Sequence, residues 1–411
     1  MSATNDNRDK VKSYSLAIGL TFGTFMIWGF AHRFYETLLP QFSAALSLSE
    51  SQQSLASWAL YFGYYLMALP AVLISRNLGY KSGVVFGLGT FSVGMLLFYP
   101  SIAQYAVFWL ISAAAVIGSG LAILEVSADP LVIRLGPKQT AVRRLNLAQV
   151  FNSVGLIGGF FLGEHLLAKS TAQPVANPAS TLVTPLLVIG IGVLLFAYLI
   201  DNTEFPPVAI DRVSKSDSTV KSFKPLLFNR RFMQGVSALF LYSVAQVVVW
   251  GFATRYALVE GGMALAEAKD VLLWSLVVFV IGRLGGTILM FRLNPTILLA
   301  VFAAGGMVCA AVAAFFGGPV GLQCVVGANF FLSIMFPTIF GYAIRDLESD
   351  TKTGAAILMF AAASGPAILA LLKGIVGLVA LRSVMAVPIP CFAAVAVFAL
   401  GFHHADKAAR T

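Results

Sequence analysis

The sequence predicts an all-α membrane protein of twelve transmembrane helices, arranged as two six-helix halves, and three observations carry that expectation. Of the 411 residues, 58% are hydrophobic and only 11% charged, whereas a soluble domain carries about 25% charged residues. Mean hydropathy is +0.85. Apolar runs long enough to cross a bilayer core, which takes about 20 helical residues, recur along the whole chain, and they are too long and too uniform for the alternating segments of a β-barrel. Finally, a stretch near the start of the chain returns at the opening of the seventh run.

The runs occupy 14–38, 52–75, 82–100, 104–133, 145–168, 181–201, 232–258, 268–291, 295–316, 318–344, 352–378 and 382–403. The polar, basic start MSATNDNRDKVKSY is followed by a run too long for a signal-peptide core, so a retained first span is expected. The connections are short except at 202–231, which is polar, basic and interrupted by Pro and Ser. It divides an N-terminal half, 1–201, from a C-terminal half, 232–411. "GVVFGLG" in the third run and "GLIGGFFLG" in the fifth supply small residues that let helices approach closely. Cys309, Cys324 and Cys391 lie inside apolar runs and read as small core hydrophobes, with no metal-ligand spacing or disulfide framework.

The net charge of +9 is a topology signal rather than a nucleic-acid footprint. With the N-terminus in the cytoplasm, most of the 27 Lys and Arg residues fall on that side, Arg76, Lys81, Arg134, Arg143, Arg144, Arg230, Arg231, Arg283, Arg292, Arg345 and Lys352 among them. That is the positive-inside bias of a multi-pass protein with both termini cytoplasmic. The repeat supports the division into halves. Trp28, Gly29, Phe30, Ala31 and Arg33 recur in register as Trp250, Gly251, Phe252, Ala253 and Arg255. A parallel repeat of six-helix halves is the pattern of a major-facilitator transporter.

A charge at the middle of a membrane helix costs about 2.5–3.5 kcal/mol on insertion scales, so the charged residues inside the runs are informative. The first run holds His32, Arg33 and Glu36, the fourth Glu125 and Asp129, and the seventh Arg255. Arg33 and Glu36, three apart, share a helix face and can pair. Glu125 and Asp129, four apart, also share one, and two carboxylates that close in a low dielectric do not both ionise easily. One of them is therefore suited to carrying a proton. Plainer readings stand beside these: Arg33 and Glu36 as a structural pair, Asp129 paired with Arg134 or Arg143, and Arg255 paired with Glu260 or at the outer lip.

Uncharged polar groups follow the same logic. Gln149, Asn152 and Ser153 fall on one face of the fifth run, and Gln246 lies near Trp250 in the seventh. Amides present donors and acceptors together, which suits sugar hydroxyls. Tyr61, Tyr64, Trp250 and Trp274 could stack on a sugar's apolar face or serve only as packing and interface anchors. No nucleophile–base or metal constellation stands out, and neither GxxxxGK[ST] nor a dinucleotide fingerprint in a βαβ setting is present. A transporter without a cofactor is expected, not an enzyme.

The stretches "LLPQF" (38–42), "YFGY" (61–64), "GLAILEVSADP" (120–130), "RLNLAQVFNSVG" (144–155), "IGRLGGT" (281–287) and "FPTIFGYAI" (336–344) together resemble the L-fucose:proton symporter family of the major facilitator superfamily. The resemblance spans about residues 20–378 and implies proton-coupled uptake of a monosaccharide by alternating access across a bacterial inner membrane. It aligns Glu36 and Glu125 with the family's proton-linked carboxylates, and Gln149, Asn152 and Gln246 with its amides.

The departures are His32, Arg33 and Tyr35 in a span that is asparagine-rich in the family, Glu36 in place of its aspartate, and Asp129 in a "SADP" that replaces "AANP". Proton coupling is therefore expected at Glu36, Glu125 and Asp129, and substrate binding at His32, Arg33, Tyr61, Gln149, Asn152, Gln246, Trp250 and Arg255. Arg33 either tunes the carboxylates around a neutral sugar or clamps an anionic, uronate-like one. An exporter of amphiphilic compounds is the more distant alternative, Na⁺ is the alternative coupling ion, and a functional monomer is expected.

Overall fold

In the computed structural model, the described residues are 2–104, 106–172, 178–210, 219–347, 350–365, 368–369, 372 and 381–408. Among them the secondary structure is helical. Eleven helical segments are long and apolar enough to span a membrane, and Thr351–Ala363 is a shorter apolar helix. The eleventh expected span, 352–378, therefore appears as that helix followed by a stretch that lies largely outside the described residues.

The chain divides into two compact units. The first comprises Met1–Pro137 and Phe151–Thr219, and the second Lys138–Val150 and Val220–Thr411. Against the two-half reading, Lys138–Val150 groups with the C-terminal residues, and the connection 202–231 is divided between the units after Thr219.

The first unit holds α1 (Ser2–Ala45), α2 (Glu50–Leu78), α3 (Tyr80–Leu96), α4 (Phe98–Ala103), α5 (Val107–Arg134), most of α6 (Ala141–Ala172), α7 (Pro178–Asn202) and α8 (Pro207–Ile210). Ser49 starts α2 with a capping box: its side chain accepts from the Gln52 N–H while the Gln52 side chain accepts from the Ser49 N–H. α5 packs against both α2 and α3, and α3 against α7.

Glycine makes these packings close. A Cβ at Gly63 would fall on the Ala115 carbonyl, and one at Gly155 on that of Met26, each well inside contact distance. α1 and α6 thus meet backbone to backbone, as "GLIGGFFLG" leads one to expect. Buried hydroxyls fasten the same contacts: Ser75 and Ser127 share a hydrogen bond of 2.7 Å, and Ser92 donates to the Gly190 carbonyl at 2.6 Å.

The second unit holds α9 (Thr219–Phe228), α10 (Arg230–Val259), α11 (Leu265–Leu289), α12 (Pro295–Phe315), α13 (Gly318–Leu332), α14 (Met335–Ile344), α15 (Thr351–Ala363), α16 (Leu381–Met385) and α17 (Pro388–Ala408), together with the first turns of α6. Asn229 caps α10 by accepting from the Phe232 N–H, and Asn294 caps α12 by accepting from the Thr296 N–H. α12 packs against α13 and α17, and α10 against α11, α15 and α17.

The tenth expected span is one apolar run but two helices, because α13 and α14 are separated at Ser333 and Ile334. Proline has no N–H to give the carbonyl four residues earlier. Pro337 stands in that relation to Ser333, so the break falls where a helical hydrogen bond cannot form. The three cysteines are free and all lie in this unit.

Large apolar side chains are exposed along the spanning helices, among them Phe62, Leu66, Leu195, Ile288 and Val397, each more than half exposed. Such helices suit a hydrocarbon solvent rather than water.

Candidate functional site

In the first unit, the cluster expected in α1 forms. Arg33 Nη1 donates to Glu36 Oε2 at 3.1 Å, and His32 Nε2 lies 3.7 Å from Glu36 Oε1. Spacings of three and four residues put both basic groups on the turn below the carboxylate. The Arg33 side chain is 12% exposed and its guanidinium lies 5.4 Å from the centre of the Phe160 ring in α6. Tyr35, on the neighbouring face, ties α1 to α2 by donating to the Ala56 carbonyl at 2.9 Å. Glu36 also borders a cleft of about 420 Å³ lined by Ser43, Glu50, Gln53 and Ser57. Its carboxylate is therefore paired on one side and reaches a polar opening on the other.

α5 carries Glu125 and Asp129 one turn apart. Glu125 is half-buried and Asp129 fully buried. Tyr61 in α2 is half-buried and meets Trp58 edge-on at 6.3 Å. Asn152 in α6 is buried and donates through Nδ2 to the Phe25 carbonyl at 3.3 Å, so part of its amide fastens α6 to α1.

The second unit places the remaining residues. Gln246 and Trp250 lie one turn apart on α10 and are both half-buried. The Trp250 indole N–H donates to Asn329 Oδ1 in α13, and its ring meets Phe279 of α11 edge-on at 5.5 Å. Asn329 is fully buried, and its Nδ2 donates to the Val325 and Val326 carbonyls at 3.0 and 3.2 Å. Gln149, 3% exposed, belongs to the α6 segment of this unit. Arg255 is exposed and forms no ion pair among the described residues. The alternative partner for it, Glu260, is taken by Arg382, whose Nη2 and Nε lie 2.6 and 2.8 Å from Glu260 Oε2. That hydrogen-bonded pairing, with the Gly318 N–H donating at 3.3 Å, holds the Glu260 carboxyl below its usual value. Trp274 is 62% exposed on α11.

Sequence reading assigned Arg283 to the cytoplasmic basic residues. It also falls within the run 268–291, and the structure shows what the charge count passed over: Arg283 lies inside the spanning part of α11 and is 4% exposed. Its Nε donates to the Ser333 carbonyl at 2.7 Å, its Nη1 lies 3.2 Å from the Gln149 carbonyl and 3.4 Å from Gln149 Oε1, and its guanidinium sits 4.5 Å from the Phe279 ring centre. The signal is present in the sequence, since "VVFVIGRLGGTILMF" places one cation in the middle of an apolar run. Asn329 was missed in the same way, as a lone amide in "VVGANFFL".

Comparison with known proteins gives the family and the fold. A family model described as Major Facilitator Superfamily matches residues 17–371. The L-fucose-proton symporter of Escherichia coli K12 is 34% identical, the alignment covering 97% of this chain and 95% of that protein. A glucose/galactose transporter of Brucella abortus is 28% identical over 95% of this chain and 94% of its own. Two crystal structures of FucP, the E. coli fucose:proton symporter, one in the outward conformation, superpose with a TM-score of 0.85 at 32% and 33% identity. Each covers 94% of this chain and 98% of that one.

Proposed function

The chain belongs to the Major Facilitator Superfamily, and from that premise we propose that it is a proton-coupled symporter importing a monosaccharide or a close sugar derivative by alternating access. It is a multi-pass transporter, and we place it in a bacterial inner membrane with both termini cytoplasmic, its two halves at 1–201 and 232–411 joined through 202–231, working as a monomer. The relatives' names supply the substrate class, fucose, glucose or galactose.

The observation that carries the coupling is the pair Glu125 and Asp129, one carboxylate half-buried and the other fully buried a turn away inside a spanning helix. An intramembrane carboxyl pair of this kind shares a proton, because a second negative charge there is costly. In this reading Glu125 takes a proton from the outer side, sugar binds, and both leave inward. Glu36 follows the same cycle less directly, since Arg33 already balances its charge.

That balance favours a neutral sugar: the span-1 cation is committed to a carboxylate of its own helix and is a poor clamp for a substrate carboxylate. Gln149, Asn152 and Gln246 supply the polar contacts, with Tyr61, Trp250, His32 and Arg255 at the margins of binding. Na⁺ in place of the proton would show as uptake that follows a sodium gradient at fixed pH.

The test is proteoliposome transport of L-fucose, D-galactose and D-glucose. The native chain should accumulate at least one of them when the outside is acidified. Glu125→Gln should lose accumulation while retaining sugar counterflow. Concentrative uptake by Glu125→Gln at the native level overturns the assignment.

A further inference from the structure

Ser333 has a backbone carbonyl that the helix cannot satisfy, because the residue four places on is Pro337. An orphan carbonyl in a hydrocarbon setting is costly unless a donor reaches it. Arg283 is that donor, with Nε 2.7 Å from the Ser333 oxygen. Gly282 makes the approach possible: a Cβ there would stand 2.8 Å from both the Phe330 Cα and the Ser333 Oγ. The same guanidinium reaches Gln149 through Nη1, at both its backbone and its side-chain oxygens.

A second bridge runs beside the first. Asn146, three residues before Gln149 on the same face of α6, donates to Thr338 Oγ1 at 3.2 Å, and Thr338 Oγ1 donates to the Ile334 carbonyl at 2.6 Å. Both carbonyls at the break, of Ser333 and Ile334, are thus joined through side chains to the first turns of α6. All of these groups lie in the second unit. A buried arginine inside a spanning segment is a functional feature by default, and here its partners say what it does.

We propose that Arg283 is a positioning residue: it fills the carbonyl left open by Pro337 at the break between α13 and α14, and with the same guanidinium sets the orientation of Gln149. Movement at the break then changes how Gln149 is presented, and sugar held at Gln149 biases the break. The link to sugar rests on the symporter reading above. The clasp itself does not.

The experiment is a double-mutant cycle on the full-length protein with Arg283→Met, Arg283→Lys and Pro337→Ala. The Pro337→Ala substitution restores a backbone N–H that can serve the Ser333 carbonyl, so that variant should depend less on Arg283. In sugar counterflow with L-fucose, D-galactose and D-glucose, Arg283→Met should raise the half-saturating concentration at least tenfold while changing the maximal rate less. In the Pro337→Ala background the loss of thermal stability caused by Arg283→Met should shrink, whereas the shift in half-saturation, which passes through Gln149, should persist.

Arg283→Lys keeps a charge and one donor direction but not the fork, so it should restore stability more than half-saturation. Thermal effects that simply add overturn the clasp. An unchanged half-saturating concentration in a folded Arg283→Met protein overturns the link to Gln149. If the native protein exchanges none of the three sugars, the symporter reading fails, and the sugar-free thermal cycle still decides the clasp.

Discussion

Replacing Trp250 by Phe tests how the indole is held. The substitution keeps an aromatic ring on α10 but removes the N–H that donates to Asn329 Oδ1. Asn329 is fully buried and its Nδ2 is spent on the Val325 and Val326 carbonyls. Its oxygen is therefore left without that donor in a place water does not reach. In soluble proteins a buried acceptor left this way costs about 1–3 kcal/mol. Interhelical hydrogen bonds in membranes measure about 0.6 kcal/mol on average, with a maximum of about 1.7. Full burial of Asn329 puts this case above that average, so a coupling of about 1 kcal/mol is expected, roughly fivefold in an equilibrium constant.

The assay is a cycle of Trp250→Phe, Asn329→Leu and the double variant in detergent. It is read as the temperature at which half the protein remains monodisperse, after which sugar affinity is measured on the survivors. Removing both polar partners should cost less than the two single losses together, because no buried group is then stranded. Losses that add to within about 0.3 kcal/mol, inside ordinary additivity, refute the reasoning.

Three further outcomes are expected. Arg33→Ala should leave affinity for a neutral sugar within a few-fold of native and show no selective loss for uronates, both measured by equilibrium binding; loss of uronate binding alone would restore the anionic reading. Glu260 ionises below its usual value in the folded protein because Arg382 and the Gly318 N–H favour its charged form. Its contribution is therefore fully present above the unfolded carboxyl value and is lost only as pH falls through the lower folded one. Glu260→Gln should accordingly lower the unfolding temperature equally at pH 7.5 and 5.5, with the difference closing only in stronger acid. Gly155→Leu should abolish folded protein, since its side chain would meet the Met26 carbonyl of α1, whereas Gly192→Leu, where a Cβ meets nothing within 4 Å, should express normally when judged by size-exclusion profile.

The class, the spans and the charged cluster of α1 were legible because each depends on local spacing. Apolar length sets a span, and three- and four-residue intervals bring Arg33 and His32 onto Glu36. Close helix approach at Gly155 was legible for the same reason.

Arg283 was passed over among the charges inside the runs because a charge count treats every cation near a span end as solvent-facing, and only the surrounding apolar residues place it inside. Pro337 announces an open carbonyl at Ser333, but no periodicity says which distant side chain fills it; that donor comes from another helix. The grouping of Lys138–Val150 with the C-terminal residues was hidden as well, since α6 is one uninterrupted helix and its sequence shows no boundary at Val150. Glu260 and Arg382, far apart in the chain, were likewise joined only by the fold.

The free cysteines have a practical consequence. Cys309, Cys324 and Cys391 all belong to the second unit, Cys391 buried and the other two half-buried. A thiol-reactive fluorophore applied during heating therefore reports the opening of that unit through the buried Cys391 and is silent to the first, so the native chain carries its own label. Paired with an introduced thiol at a buried position of the first unit, in a background without the native three, the same dye would time the opening of each unit separately. Whether the two melt as one or in sequence then becomes a single overlay of two curves.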